Sequence, residues 1–157
     1  MVRAFYLILA LIFCGFGIYY LLPQKDYPVK ISLYSKDDSI VSTGKEIYLQ
    51  YCASCHGEQL QGQSNWRQRD AEGYLPAPPH DESGHTWHHS DTYLFLMTKY
   101  GIEKMIGKEY PNNMPAYEEK LTDDEIIAVL SYIKSTWPED IKAVHDNINT
   151  QYELNKN

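Results

Sequence analysis

Residues 52–56 read Cys-Ala-Ser-Cys-His, and their types and spacing define the chemistry open to this chain. Two thiols three positions apart share one side of a helical turn, and an imidazole follows the second thiol directly. This is the C-x-x-C-H signature of a covalently held haem. Each sulfur can form a thioether to a vinyl group, and the histidine then falls under the iron as an axial ligand. Two other chemistries use part of the same set. A Cys-x-x-Cys pair serves thiol–disulfide exchange in a βαβ setting, and these flanks carry no strand pattern. Cys52 and Cys55 could instead join His80 and His85 around zinc. That arrangement puts 24 residues between the pairs and leaves His56 idle, where about 12 to 15 intervening residues are usual.

The elements that must position these side chains are helical. STGKEIYLQYCASCHG reads as a helix entry, with Thr43 as N-cap and Glu46 three residues later forming a capping box. Ile47 and Tyr51 then face one side. Farther on, Thr122 and Glu125 make a second capping box, and Ile126, Leu130, Ile133 and Trp137 form one apolar stripe that Pro138 ends. Between these stretches, SDTYLFLMTKYG predicts a helix capped by Ser90 or Asp91 and closed by Gly101, with Met97 as a core residue. Met105 and Met114 fall in the loop that follows.

Residues from about 42 to 138 resemble a class I cytochrome c. The resemblance rests on a helix leading into CASCH, a long intervening loop, NNMPAY, and a capped C-terminal helix. It implies an all-α fold around one covalent haem c, with His56 and Met114 as its axial metal ligands. It also implies that the first and last helices of this region cross, with Gly44 and Tyr48 near the face of Leu130 and Ile133. Proteins of this kind usually donate the proximal imidazole N–H to a proline carbonyl. Pro78 in GYLPAPPHD occupies that place, and His80 stands where leucine is more common. With both axial positions filled by protein, the resemblance implies an electron carrier with no catalytic residues, working alone or as the cytochrome subunit of a larger complex.

His80, His85, His88 and His89 fall within HDESGHTWHHSD, a density at which imidazoles could bind copper, zinc or nickel. A second function class therefore stays open, a metal-binding or metal-sensing protein with an accessory haem. The other reading is a loop serving the haem crevice, with Trp66, Arg67 and Arg69 as further partners for propionates. The segment LPAPPHDESGHTWHH is similar to one in a subgroup of bacterial membrane-anchored cytochromes c.

Ala4 to Leu22 carries no charge, and a helix of nineteen residues rising about 1.5 Å each would match a bilayer's hydrocarbon thickness. Residues 1–22 are therefore expected to be a transmembrane anchor or uncleaved signal, with Cys14 inert among lipid tails, and residues 23–41 a tether. Covalent haem attachment implies maturation outside the cytoplasm, so the expected setting is a bacterial inner membrane with the soluble domain periplasmic. The polar stretch 139–157 has Ile141, Val144 and Ile148 at helical spacing and is read as a short helix or a frayed tail. The 157 residues fit one domain, and a net charge of −7 argues against a nucleic-acid partner. The expected partners are a redox donor and acceptor.

Overall fold

The computed structural model describes residues 30–155. Among them the structure is helical and contains no strand. The helices are α1 (Asp38–Tyr51), α2 (Ala53–His56), α3 (Asp91–Tyr100), α4 (Ile102–Ile106), α5 (Asp123–Ser135) and α6 (Glu139–Asn155), with a 3-10 turn at Thr86–His88. The apolar run at 4–22 and the proposed anchor lie outside the described residues. None of the described helices is long and apolar enough to cross a membrane.

Helix α1 begins earlier than its sequence suggests. The Asp37 carboxylate accepts N–H groups from Ser39 at 3.0 Å and Ile40 at 3.1 Å, capping the helix there. The expected Thr43–Glu46 capping box does not form. Thr43 lies inside the helix, and its hydroxyl donates to the Ser39 carbonyl at 3.0 Å. Aspartate caps at least as well as threonine, and the earlier start lets Ile40 and Val41 pack against the core. The expected tether also ends sooner. From Ile31 onward the chain belongs to the folded unit: the Leu33 N–H donates to Asp91 Oδ2 at 3.0 Å and that of Tyr34 to Ser131 Oγ at 2.9 Å.

Helices α1 and α5 cross at Gly44. A Cβ there would sit 2.0 Å from the Ala128 carbonyl oxygen and 3.0 Å from the Tyr132 Cβ, so only glycine allows this approach. Tyr48, one turn on, packs its ring 5.5 Å from that of Tyr132. The Thr122–Glu125 capping box forms as expected, and Ile126, Leu130, Ile133 and Trp137 are all buried. Val129, Ser131 and Tyr132 are buried too, so α5 is covered on most of its circumference. Met105, expected in a loop, lies on the short helix α4, which Gly107 ends in the left-handed region.

The C-terminal stretch is a helix of 17 residues. Val144 points outward, 46% exposed, while the residue that α6 buries completely is His145. A period search for apolar residues passes over it because the buried side chain is polar. His145 meets the Trp137 ring edge-on at 5.0 Å, and its Nε2–H donates to the His89 carbonyl at 2.9 Å. Asp91 Oδ1 lies 3.4 Å from the same nitrogen and 3.9 Å from Lys134 Nζ, which also pairs with Asp146 at 2.6 Å. The Asn149 side chain accepts the Asp91 N–H at 2.7 Å, adding α6 to the lock.

Burial holds the His145 imidazole below its usual range; Lys134 adds to this, while Asp91, the His89 carbonyl and Asp146 oppose it. The unfolded chain therefore takes up this proton first, at about pH 6.5. The contribution to stability is complete above about pH 7.5 and is lost as pH falls through about 6.5, by at most about 1.4 kcal/mol per pH unit, until the native ring protonates. His145→Gln is expected to flatten the acid slope of urea-unfolding stability. A slope unchanged in that variant would place the sensitivity on another group.

Candidate functional site

The turn between α1 and α2 sets the three motif side chains. Cys52 N–H closes α1 on the Tyr48 carbonyl at 2.9 Å, and Gly57, with φ at 82°, ends α2. The Tyr48 hydroxyl donates to the Gly57 carbonyl at 2.8 Å, pinning the end of the motif to the helix that leads into it. Cys52 is half-buried and Cys55 exposed, neither is in a disulfide, and His56 is buried.

Burial, helped by Cys55, pushes the Cys52 thiol up to about 11. Dithiol exchange needs the opposite shift, toward a thiolate near neutral pH. Zinc fares no better: among the described residues no three His, Cys, Asp or Glu side chains are grouped to hold a metal ion.

His56 Nδ1 lies 2.8 Å from the Pro78 carbonyl oxygen. A carbonyl only accepts, so Nδ1 carries the proton and Nε2 keeps its lone pair. Burial lowers the affinity of the ring for a second proton, with the Pro78 bond opposing it. A neutral imidazole with a fixed tautomer and an unprotonated Nε2 is the form that ligates iron. Two free thiols at the matching spacing complete a donor set that fits a covalent haem.

The Pro78 carbonyl is itself held. Gln63 N–H donates to the Ala77 carbonyl at 2.8 Å, Ala77 N–H returns to the Gln63 side chain at 2.8 Å, and His80 N–H reaches Leu60 O at 2.7 Å. Gly62, at φ 68°, presses this clip: a Cβ on it would lie 2.4 Å from the Pro79 nitrogen. Gly84 closes from elsewhere, where a Cβ would lie 2.1 Å from the Pro79 carbonyl oxygen. Neither glycine is legible as a site residue from its spacing, because each matters only through how the folded loop brings its backbone against Pro78 and Pro79.

Met114 is 36% exposed, while Met97 and Met105 are half-buried. The Arg69 guanidinium donates to the Tyr110 hydroxyl at 2.9 Å and lies 5.0 Å from its ring, tying the loop after CASCH to the loop that carries Met114. Asn112, two residues before Met114, has a buried side-chain oxygen with no partner. Tyr117 buries its ring against Tyr51 and donates its hydroxyl to the Tyr51 carbonyl at 2.9 Å, anchoring the other end of that loop to α1. Arg67 lies over Trp66 at 4.0 Å.

The four rings of the histidine-rich segment do not meet at one point, although His85 and His89 touch edge-on at 5.5 Å. His80 stacks on His56, His85 on Trp66, His88 on Trp87 and His89 on Tyr93. Each ring stacks on a different aromatic neighbour, and among the described residues no three His, Cys, Asp or Glu side chains are grouped to hold a metal ion, which leaves the second-metal reading without support here.

Residues 41–137 match the family model for cytochrome c, which is more than half of the chain. No curated protein matches the sequence. A solved structure, cytochrome CL from the marine methylotrophic bacterium Methylophaga aminisulfidivorans MPT, is similar at 20% identity and a TM-score of 0.49, covering 78% of this chain and 77% of its own. One C-x-x-C-H motif, matched in this way, binds one covalent haem c. With its free thiols, oriented imidazole and helical frame accounted for, the chain belongs to the cytochrome c family.

Proposed function

We propose that this protein is a membrane-tethered, periplasmic, monohaem electron carrier of a bacterial inner membrane. Cys52 and Cys55 hold the haem through thioethers, His56 Nε2 is the proximal ligand and Met114 the distal one. The bound haem supplies a one-electron Fe(III)/Fe(II) couple. The chain's own residues do the rest. Pro78 fixes the ring plane and tautomer of His56 and strengthens it as a donor, and the clip of residues 60–63 keeps that carbonyl in place. With His56 and Met114 both holding the iron, no position on it would be open to oxygen or substrate, which suits carriage rather than catalysis. The observation that supports this reading best is the His56–Pro78 hydrogen bond, which leaves one nitrogen available beside two free thiols.

The apolar run at 4–22 supports the tether, and covalent haem attachment supports the periplasmic side. Beyond residue 25 the chain carries 12 Lys and Arg, the 14 of the whole less Arg3 and Lys25, against 21 Asp and Glu. This acidic surface favours basic docking partners and a salt-dependent on-rate. The full chain matured in a host competent for haem attachment should show a c-type pyridine haemochrome at one haem per chain; a colourless product would refute the reading. Met114→Ala should abolish the weak near-infrared charge-transfer band of methionine ligation in the oxidised protein. Persistence of that band would remove Met114 from the iron.

A further inference from the structure

His80 is held at three points by three different parts of the chain. Its N–H donates to the Leu60 carbonyl at 2.7 Å, its carbonyl accepts the Trp137 indole N–H at 2.8 Å, and its Nδ1 bonds the Thr86 hydroxyl at 2.8 Å. The edge of the Tyr48 ring closes another side, with centroids 6.3 Å apart. So placed, the His80 ring lies nearly flat on that of His56, with centroids 4.0 Å apart and planes at 21°. Its backbone anchors join the clip that also holds the Pro78 carbonyl, so stack and hydrogen bond belong to one construction.

We propose that His80 is a positioning residue for electron transfer, whose ring face against His56 favours the oxidised state of the centre. The proposal rests on His56 being the proximal ligand. An imidazole bound to Fe(III) carries more positive charge than one bound to Fe(II), and the face of a neighbouring aromatic ring is electron-rich. Contact with that face therefore stabilises the ferric state more than the ferrous one. An aliphatic side chain of similar reach fills the space without that contribution. The anchors at Leu60, Thr86 and Trp137 keep the ring from swinging away, so it acts without reorganising at each electron transfer.

The test uses the full holoprotein, with equilibrium redox titration at fixed pH of wild type, His80→Leu and His80→Phe. His80→Leu is expected to raise the ferrous-to-ferric ratio at a given ambient potential roughly threefold to tenfold, while His80→Phe, which keeps a ring face, stays within about twofold of wild type. Leu and Phe variants that titrate alike, whether both shifted or both unshifted, would overturn the proposal. Proton NMR of the reduced wild-type protein gives a readout that needs no variant: cross-relaxation between His80 and His56 ring protons is expected, and its absence would also overturn it. The ligand reading is judged separately. A wild-type spectrum lacking histidine–methionine ligation refutes that reading, whereas intact ligation with no Leu–Phe difference refutes only the role of the stack.

Discussion

Gly44→Val is expected to prevent recovery of folded, haem-loaded protein, with a stability loss of at least about 3 kcal/mol, the upper end for overpacking. The cause is geometric. Even a single Cβ at position 44 would lie 2.0 Å from the Ala128 carbonyl oxygen and 2.5 Å from its carbon, and both atoms are backbone. A side chain in the way could turn aside, but a helix must translate. That motion would separate α1 from α5 and unseat Tyr48, Ile126 and Val129, which are almost wholly buried in the same core. It would also carry Cys52, Cys55 and His56 away from Pro78, because the motif hangs from the end of α1. Covalent haem yield and the urea midpoint are the measurements. Leu49→Ala, at a position on α1 that is 48% exposed, serves as control and should change stability by no more than about 0.5 kcal/mol. Wild-type stability in Gly44→Val would mean that the helices do not cross at this point.

The second large effect is expected from Lys134→Met, at about 3–5 kcal/mol of destabilisation. The side chains of Lys134 and Asp91 are 7% and 8% exposed, so their charges are largely removed from water. Asp91 Oδ1 makes no hydrogen bond and lies 3.4 Å from His145 and 3.9 Å from Lys134. With the imidazole kept neutral by burial, Lys134 is the cation that balances this carboxylate. Methionine fills a similar volume and leaves the anion uncompensated. Asp91→Asn in the same chain should recover part of the loss, because the amide oxygen can still accept the Leu33 N–H. The double-mutant cycle in urea measures the coupling. Strict additivity of the two changes would remove the charge argument and leave only packing.

Much of the site was legible in the order of residues. CASCH is a local signature: its thiol spacing and adjacent imidazole lie within one helical turn, so no distant contact is needed to recognise them. The Thr122–Glu125 box and the stripe from Ile126 to Trp137 are local for the same reason, and both appear as expected. Pro78 was named through the resemblance, and its carbonyl is where that resemblance placed it, 2.8 Å from His56. Thr43 failed as a cap because Asp37, six residues earlier, caps the Ser39 and Ile40 N–H groups and starts a longer packed helix, which leaves Thr43 in the helix interior.

What only the tertiary structure decided involves partners far apart in the chain. Tyr34 finds Ser131 at a separation of 97 residues, and Leu33 finds Asp91 at 58, which converts an apparent tether into part of the folded unit. His145 sits where a period search looks for an apolar residue, and its acceptor is the His89 backbone, 56 positions away. His80 and His56 are 24 positions apart in sequence and 4.0 Å apart as rings. Composition and spacing determine short-range chemistry because covalent geometry fixes it. Whether His80 ligates a second metal or stacks on the first ligand depends on which distant groups the folded chain brings to its hydrogen-bonding atoms. Those groups, Leu60, Thr86 and Trp137, are assembled only by packing.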